Sequence, residues 1–327
     1  MLPRLLPLLA LVLVLASCRP VAEDEVSVLW WNVENLFDTV DDATRDDDFT
    51  PLGRLAWTAE RLDQKIDRLA RVLGDTPAAA ALPDIIGYCE VEHPALAEQL
   101  LAAAGADHYQ LVAFESPDER GIDVGLAFDG ERLEKLAEFR LPVELPDDHT
   151  RDIVGASFRF RGAKLHVFAN HWPSRRNPAP VRRAAADVLR QAIDDLLAAD
   201  PAADVLVLGD LNDEPGDPSV TEGLRAFEDW RRARRTPGAL FNLWRGVKDP
   251  GTLVYRDEWF RLDHAIASAG LFDRQGFRLV GRRPMRVLRL PYLLNEGEPF
   301  RTYSWGEHVG GTSDHLPLLV RLRVVTP

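Results

Sequence analysis

Short apolar runs recur along most of this 327-residue chain and alternate with amphipathic stretches. Six of these runs are bounded by polar or turn-forming residues, which is typical of β-strands. The predicted strands are Val26–Val33, Asp84–Cys89, Tyr109–Phe114, Asp123–Phe128, Lys164–Ala169 and Val205–Leu208. Because several of them are apolar almost throughout, we expect a sheet that is covered on both faces.

Two stretches have the apolar spacing of amphipathic helices. The first has its apolar face at Leu62, Ile66, Leu69 and Leu73. Thr58 is suited to cap this helix and Gly74 to end it. The second has its apolar face at Val181, Ala185, Val188, Ala192, Ile193 and Leu196, with Pro180 suited to its first turn. No repeat and no Ser/Gly-rich linker divides the sequence, which favours one α/β domain.

Three segments have no clear periodicity. Thr39–Leu55 is acidic and is expected to form a solvated loop, with a secondary calcium site as the weaker alternative. Arg231–Arg235 is expected to be a solvated helix face rather than a patch for an anionic ligand. Gly281–Gly311 is a long insert, and long loops inside compact domains are often functional.

The N-terminus has the layout of a secretory signal. Arg4 precedes the apolar run Leu5–Leu15, which is shorter than the roughly 20 residues needed to span a bilayer. The segment Met1–Cys18 then ends in LASC, which resembles a bacterial lipobox. We therefore expect an exported protein that is lipid-anchored through Cys18 in the cell envelope, on its periplasmic or outer-membrane face. Ordinary cleavage near Ala16 is the alternative.

Composition narrows the classes of function. Hydrophobic residues make up 46% of the chain and the formal net charge is −13, which excludes a disordered chain. Two cysteines exclude a disulfide scaffold, and Cys89 is expected to be a buried free thiol. The negative charge argues against binding nucleic acid through a broad basic face. It leaves room for a metal-dependent nuclease, whose site requires carboxylates.

Polar residues of catalytic type follow or precede the predicted strands. They are Asn32, Glu90, His171, Asp210, Asn212, Asp263, Asp314 and His315. Each alone has an ordinary structural explanation as a cap, a turn residue or a hydrogen-bonded histidine. Six such strand ends in one chain are hard to explain by turns alone, and the rim of a sheet is where sites assemble in α/β folds.

These residues belong to motifs that occur in a characteristic order. The motifs are WNVEN at 31–35, CEVE at 89–92, RGIDV at 120–124, NHWPS at 170–174, GDLND at 209–213, LDH at 262–264 and SDHLP at 313–317. The ordered set resembles the endonuclease/exonuclease/phosphatase superfamily over residues 26–325. The resemblance implies a four-layer α/β sandwich, in which two facing mixed β-sheets are flanked by helices and the site lies between the sheet edges.

The resemblance also implies a metal site and its chemistry. Glu90 would be the principal ligand of Mg²⁺, with Mn²⁺ or Ca²⁺ as alternatives, and Asn32 and Asp314 would lie beside it. Such a hard cation takes oxygen ligands, and it assists phosphoryl transfer as a Lewis acid. Asp210 and Asn212 would orient water and phosphate, and in some relatives the Asp is itself the proposed base.

Two histidines match the catalytic pair of this superfamily. His315 would be the general base and Asp263 would orient it. His171 would donate a proton or hydrogen bond to the phosphate or leaving group, and Asp123 would be its acidic partner. The sequence leaves open whether Asp210 or His315 takes the proton.

Four further residues are candidates for contact with substrate. Arg120, Arg175 and Arg176 lie beside the motifs and would grip phosphate, or else face solvent. Trp172 would stack on a base or sugar, or form a wall of the pocket. Pancreatic deoxyribonuclease has a DNA-contacting arginine where this chain has Glu92, which argues against tight binding of duplex DNA.

The expected function is hydrolysis of phosphodiester bonds, with a nuclease as the leading interpretation. A phosphatase or phospholipase C-type enzyme acting on inositol phosphates, nucleotides or phospholipid head groups is the alternative. A non-catalytic binding module is the third reading, and the complete set of candidate catalytic residues argues against it. Neither a protein partner nor an oligomer is indicated, so a monomer is expected.

Overall fold

The computed structural model describes residues 23–78, 80–145 and 149–325. In these ranges the strands, in chain order, are β1 (Glu25–Leu36), β2 (Ile85–Val91), β3 (Tyr109–Ala113), β4 (Asp123–Asp129), β5 (Glu134–Leu141), β6 (Ile153–Phe160), β7 (Ala163–His171), β8 (Asp204–Asp210), β9 (Ala226–Phe227), β10 (Leu240–Asn242), β11 (Leu253–Tyr255), β12 (Glu258–Phe260), β13 (Asp263–Ala267), β14 (Phe277–Leu279), β15 (Met285–Val287), β16 (Leu294–Asn295), β17 (Glu298–Pro299), β18 (Tyr303–Ser304), β19 (Glu307–His308) and β20 (Leu318–Val324). The α-helices are α1 (Ala59–Asp75), α2 (Pro94–Ala103), α3 (Ala179–Ala199) and the single turn α4 (Trp230–Ala233). Short 3₁₀ turns lie at Asp47–Phe49, Gly270–Phe272 and Pro291–Leu293, and a π turn lies at Ser219–Gly223.

Two large mixed sheets form the frame of the fold. The first sheet has the order β14-β20-β1-β2-β4-β3, and β15 also pairs with β20. The second sheet has the order β5-β6-β7-β8-β13-β10-β9. Parallel pairs (β1 with β2, β7 with β8) occur beside antiparallel ones in both sheets. The expected α/β sandwich of two facing mixed sheets is confirmed.

The two sheets pack directly against each other. The indole of Trp30 in the first sheet donates a hydrogen bond to Asp263 in the second, at 2.8 Å. At Gly87 of β2, a Cβ atom would lie 3.0 Å from the Trp30 ring and 3.4 Å from the Leu208 side chain of β8. The glycine therefore permits the close approach of the sheets beside the edge that carries the candidate site.

Both predicted helices are confirmed, and their apolar faces cover the outer faces of the sheets. The Thr58 hydroxyl accepts a bond from the backbone N–H of Arg61 at 3.4 Å, so it caps α1 as expected. Helix α1 ends at Asp75, one residue beyond the predicted stop. Helix α3 buries Ala185, Leu189 and Ile193 against the second sheet. The apolar helix α2 was not predicted.

All six predicted strands are present, with ends shifted by at most a few residues. The acidic segment Thr39–Leu55 is a loop. The Phe49 ring in this loop stacks on the Phe37 ring, with 4.3 Å between the ring centroids. The insert Gly281–Gly311 contains β15 and two short hairpins rather than only irregular chain. The arginines of Arg231–Arg235 are exposed, but the helix there is a single turn.

The two cysteines fall in different parts of the chain. Cys89 is a fully buried free thiol, as expected. The predicted signal segment and Cys18 lie outside the described residues. None of the helices within the described ranges combines the length and the apolarity needed to cross a membrane.

Candidate active site

The ends of β1 and β2 place an amide and a carboxylate side by side. Asn32 and Cys89 are partners in the parallel pair, and the register of each strand is irregular just beyond them. At these irregularities Glu34, Asn35 and Glu90 have φ angles of +54°, +52° and +63°. Non-glycine residues rarely adopt this left-handed conformation, and it concentrates at functional sites. The strained backbone turns Glu90 toward the gap between the sheets.

The Glu90 carboxylate is held on both oxygens. Asn32 Nδ2 donates to Oε1 at 3.1 Å, and the backbone N–H of Asn35 donates to Oε2 at 3.0 Å. Burial acts to raise the pKa of Glu90, but the Arg120 guanidinium, the Asn32 bond and the His315 imidazole together hold it below its ordinary value. Glu90 is therefore an ionised carboxylate in the position expected of a metal ligand.

Three neighbouring strands of the second sheet deliver side chains to the same edge. His171 at the end of β7 is the register partner of Asp210 on β8, and Asp210 is the partner of Asp263 on β13. Asn32 Nδ2 reaches across from the first sheet to Asp210 Oδ2 at 3.1 Å. The site is thus closed by a direct hydrogen bond between the two sheets.

His315 and Asp263 form a buried pair, as the sequence predicts. His315 Nδ1 lies 2.6 Å from Asp263 Oδ2, and the same carboxylate accepts bonds from Trp30 Nε1 and the Thr252 hydroxyl. Burial alone would lower the pKa of His315, but the charge and hydrogen bond of Asp263, with further help from Asp314 and Asp210, raise it well above its ordinary value. The imidazole therefore carries a proton at neutral pH.

His171 has the opposite environment. Burial, together with the Arg151 and Arg120 guanidinium groups, lowers the pKa of His171 well below its ordinary value. Its Nε2 lies 3.7 Å from Asp210 Oδ2 and 3.9 Å from Glu90 Oε1. The His171 imidazole is therefore neutral.

Asp210 lies between the two histidines. Its Oδ2 is also 3.8 Å from His315 Nε2, while its Oδ1 accepts the backbone N–H of Asn212 at 3.0 Å. Burial raises the pKa of Asp210 to about 7; the His315 charge opposes this shift and Asp263 adds to it. A carboxylate with a pKa near neutrality between two imidazoles can exchange a proton under ordinary conditions.

The donor set fits a hard divalent cation. Glu90 and Asp314 are close enough for Glu90 to contribute, after burial, to the raised pKa of Asp314. Ligand-type atoms of Asp210, Asp263 and His315 also lie within 4.8 Å of one another. Crowded carboxylates in a buried site are what a divalent cation neutralises.

Asn32 lies beside Glu90, where the resemblance placed it. Its Oδ1 accepts the backbone N–H of Glu34 at 3.0 Å, while its Nδ2 donates to Glu90 and Asp210. The amide group therefore orients both carboxylates, Glu90 and Asp210. This orientation follows from the hydrogen bonds, since only the nitrogen can face both carboxylates.

The expected pairing of Asp123 with His171 is not formed. Asp123 Oδ1 accepts the backbone N–H of Ser116 at 2.9 Å, and within the described ranges His171 Nδ1 has no hydrogen-bond partner. Asp123, at the start of β4, is turned toward the Ser116 backbone and away from the end of β7, where His171 lies. Burial nevertheless raises the pKa of Asp123 to about 7.

Trp172 and Asn212 build the floor of the site. Trp172 is only 1% exposed, so it forms a wall and does not offer a face for stacking with substrate. Its carbonyl oxygen accepts Asn212 Nδ2 at 3.0 Å. Asn212 has a φ of +52°, which asparagine tolerates better than most residues, and this turns its backbone N–H toward Asp210.

Of the three candidate arginines, Arg120 is the one that is hydrogen-bonded to a residue of the site. Arg120 is exposed and donates to Asn35 Oδ1, next to Glu90. Arg175 is exposed, lies 3.6 Å from Asp217 and stacks on the Phe260 ring. Arg176 is exposed.

Several supporting residues were not identified from the sequence. Arg151 is buried, pairs with Asp118 at 2.7 Å and donates to the Trp172 carbonyl at 2.9 Å. Lys65 is buried on the apolar face of α1, where its Nζ donates to the Thr302 hydroxyl at 2.6 Å. The signal for Lys65 was available, because it lies three residues after Leu62 and four before Leu69 on the predicted apolar face.

Comparisons with known proteins agree with this architecture. The profile of the Endonuclease/Exonuclease/phosphatase family matches residues 27–324. No curated protein sequence matches the chain. Similar solved structures include D. rerio TDP2 complexed with single strand DNA product, at 17% identity with a TM-score of 0.59, covering 92% of this chain and 99% of that chain.

Two other solved structures share the fold over most of this chain. The human Nocturnin catalytic domain with bound sulfate anion is 17% identical with a TM-score of 0.59, covering 91% of this chain and 94% of that chain. A Bacteroides thetaiotaomicron mannosyl-6-phosphatase is 14% identical with a TM-score of 0.58, covering 91% and 99%. Members of the matched family are phosphoesterases that depend on divalent metals. The chain belongs to the endonuclease/exonuclease/phosphatase family.

Proposed function

We propose that this protein is a metal-dependent phosphodiesterase that cleaves nucleic acid, with Mg²⁺ as the cation. The observation that carries the proposal is the position of Asp210, whose Oδ2 lies 3.8 Å from His315 Nε2 and 3.7 Å from His171 Nε2, in surroundings that raise the pKa of His315 and lower that of His171. Groups whose environments push their pKa values apart supply acid and base in one site. Hydrolysis of a phosphodiester requires both, because water must lose a proton and the leaving oxygen must gain one.

The pKa directions favour Asp210 as the base, one of the two alternatives that the sequence leaves open. With its pKa raised to about 7, Asp210 is suited to accept a proton from the attacking water. His315 already carries a proton, held by Asp263, and is suited to donate to a phosphoryl or leaving oxygen. The neutral His171 would donate a hydrogen bond to a phosphoryl oxygen through Nε2, which faces Asp210 and Glu90. His315 as the base is the alternative.

Glu90 and Asp314 would hold the cation, which would neutralise charge on the phosphoryl oxygens. Asn32 would keep both Glu90 and Asp210 oriented, since it donates to each at 3.1 Å. A nucleic-acid substrate is supported by the similarity to a TDP2 structure whose name includes a single strand DNA product. The proposed location is the cell envelope, with a lipid anchor at Cys18 and a monomeric protein.

A phospholipid head group is the second candidate substrate. Leu52 and Trp305 are both completely exposed, at 100% and 102%. The loops that carry them touch, because the Tyr303 hydroxyl donates to the Leu55 carbonyl at 3.1 Å. Neighbouring exposed apolar tips are a feature of surfaces that bind membranes.

The test uses the full chain in detergent and compares several phosphate esters. Bis-p-nitrophenyl phosphate, p-nitrophenyl phosphate, DNA, RNA and sphingomyelin are each offered with Mg²⁺, Mn²⁺, Ca²⁺ or EDTA. We expect metal-dependent turnover of the diester and of nucleic acid, lost in Glu90→Ala and Asp210→Asn. Asp229→Asn, an exposed carboxylate at the start of α4, is the matched control and should be unchanged.

The outcomes of this test distinguish the candidate functions. Turnover of sphingomyelin without nucleic acid would favour the second candidate, and no turnover of any ester would favour a binding module. For the anchor, Cys18→Ala should release the protein from membranes. Retention of the variant in the membrane fraction would contradict lipidation at this residue.

A further inference from the structure

A basic groove of about 640 Å³ runs along the outer edge of the first sheet. Its walls are strand β15, the turn before it and the loop that contains Lys248. Lys248, Arg282, Arg283 and Arg286 line it and are exposed. We call these four side chains and the space between them the basic groove.

The cations of the basic groove are not neutralised by the protein. In the described part of the chain, no ion pair or hydrogen bond joins any of the four side chains to another residue. The nearby acid Asp249 is already paired with Arg289 at 2.8 Å. Arg321, at the far end of the groove, is paired with Glu25. The groove therefore keeps four uncompensated positive charges in a protein whose formal net charge is −13.

The register of the sheet places the backbone of the basic groove near that of the site, although Arg286 lies on the outer face of the first sheet and Asn32 faces the second sheet. Arg286 pairs with Leu319 on β20, which pairs with Leu29 on β1, three residues before Asn32. At about 3.3 Å per residue and about 4.8 Å per strand, the backbone of Arg286 lies roughly 14 Å from that of Asn32. The other wall is also continuous with the site, since Lys248 lies four residues before Thr252, whose hydroxyl donates to Asp263.

The opposite side of the site carries acidic side chains, next to the exposed cation Arg120 beside Glu90. In the first sheet β1 separates β20 from β2, so Glu92 at the end of β2 lies on the side away from the basic groove. Glu92 Oε2 accepts the backbone N–H of Asp38 at 2.6 Å, and burial, with smaller contributions from the charges of Asp38 and Asp46, raises the pKa of Glu92 to about 7. A polyanion would be attracted along one side of the site and repelled along the other. One strand fits this arrangement, whereas the second strand of a duplex would meet the acidic side.

The composition of the basic groove favours a polynucleotide over a membrane. A membrane-docking surface combines cations with protruding apolar anchors. Among the described residues, the large exposed apolar side chains are Val40, Leu52, Tyr255, Trp305 and Val309, and none of them lines the groove. A concave track of arginines without such anchors matches the phosphate backbone of a strand.

We propose that the basic groove binds the phosphate backbone of a single nucleic-acid strand next to the bond being cleaved. The proposal rests on the proposed function and adds the substrate's strandedness and the direction from which it enters. The separation of roughly 14 Å is spanned by a few nucleotides of a single strand, so the groove would contact phosphates near the reacting one but not the reacting one itself.

The test is a triple charge reversal, Arg282→Glu with Arg283→Glu and Arg286→Glu, in the full chain. The matched control reverses Arg231, Arg234 and Arg235, three exposed arginines that do not line the groove. Each protein is assayed with bis-p-nitrophenyl phosphate and with a labelled oligothymidylate, and binding of the oligothymidylate is measured separately in EDTA by fluorescence anisotropy. Binding to phosphatidylglycerol vesicles is measured in parallel.

We expect the groove variant to lose at least about tenfold in affinity for the oligothymidylate and in kcat/KM on it, with no change on the small diester. The salt dependence of binding should weaken by about 2 in log–log slope, since each lost contact to a single strand removes about 0.7. The control variant should resemble the wild type in every assay.

Three outcomes would overturn the proposal. Unchanged oligothymidylate binding would show that the groove does not contact the strand. An equal loss on the small diester would show a general structural effect. Loss of vesicle binding with intact oligothymidylate binding would make the groove a membrane surface. If wild-type protein does not cleave the small diester, the proposed function itself fails, whereas binding in EDTA still decides the groove.

Discussion

Asp263 is the residue whose replacement most sharply tests the assignment of the site. It is fully buried and accepts hydrogen bonds from Trp30 Nε1 at 2.8 Å, from the Thr252 hydroxyl and from His315 Nδ1 at 2.6 Å. Burial acts to raise the pKa of Asp263, but the His315 charge and these bonds keep it below its ordinary value. Asp263→Asn keeps the shape of the side chain and removes its charge.

The magnitude follows from this hydrogen bonding. An amide has one acceptor oxygen, so its NH₂ group must face at least one of the three donors. Breaking a buried charge pair by neutralising one partner costs about 3–5 kcal/mol. If that loss appears in the transition state, kcat/KM falls by about 10²- to 10⁴-fold, at about 1.4 kcal/mol per factor of ten. Because Asp263 is the main group that raises the pKa of His315, the pKa of this imidazole must also fall in the variant.

The assay measures kcat/KM on bis-p-nitrophenyl phosphate with saturating Mg²⁺ across a range of pH, together with the NMR titration of His315. We expect the large loss of activity and a shift of the His315 titration to lower pH. Thr252→Val is the control, because it removes one donor to the same carboxylate and keeps the charge. Activity within a few-fold of the wild type and an unshifted titration in Asp263→Asn would refute the role of the pair.

Burial raises the pKa of Asp204 to about 7, so above that pH its ionised carboxylate lowers the free energy of unfolding, and below about pH 4 it has no such effect. Asp204→Asn should therefore stabilise the protein by about 1–3 kcal/mol at pH 8, and hardly at all at pH 4, as measured by thermal denaturation. An equal effect at both pH values would contradict this. Mg²⁺ at about 100 times its dissociation constant should stabilise the wild type by about 2.7 kcal/mol, and a similar stabilisation of Glu90→Gln would show that the cation binds elsewhere. Lys65 Nζ lies 4.0 Å from Glu34 Oε2, so Lys65→Met should destabilise the fold by about 3–5 kcal/mol at pH 8 in urea denaturation. The loss should be smaller at pH 5, where Glu34, with its pKa raised to about 7, is protonated, and Glu34→Gln should rescue the variant.

Elements with a strong local signal could be predicted from the sequence. The runs before Glu90 and Asp210 are apolar throughout and end at a single polar residue, so both the strand and the emergence of its last side chain at the sheet edge could be inferred. Strand β5 was missed because Glu134–Leu141 is an edge strand with charged residues interspersed, which has the periodicity of neither a buried strand nor a helix. Helix α2 was missed because it is apolar on most of its surface and lacks an amphipathic pattern.

Contacts between distant motifs were less predictable than the motifs themselves. The pairing of Asp263 with His315 was expected from the resemblance, and the structure brings the two side chains together. The pairing of Asp123 with His171 was expected in the same way and is not formed. Motif order indicates that residues share one edge of the sandwich, but the side toward which each side chain turns depends on register and local φ angles. The positive φ of Glu90 is such a feature, since no sequence pattern at CEVE signals it.

The order of strands in the first sheet decides which charges flank the site. β1 carries Asn32 in the middle, β2 brings Glu92 on one side, and β15, through β20, brings Arg286 on the other. The formal net charge of −13 is a sum over the whole chain, so it does not describe the local charge near the reacting group. Each phosphate of a bound polyanion is attracted by the charged groups within about 10 Å of it, because more distant exposed charges are screened at physiological salt, so the groove would act on phosphates away from the reacting one. An acidic protein can then bind a polyanion, provided that the substrate approaches across β20.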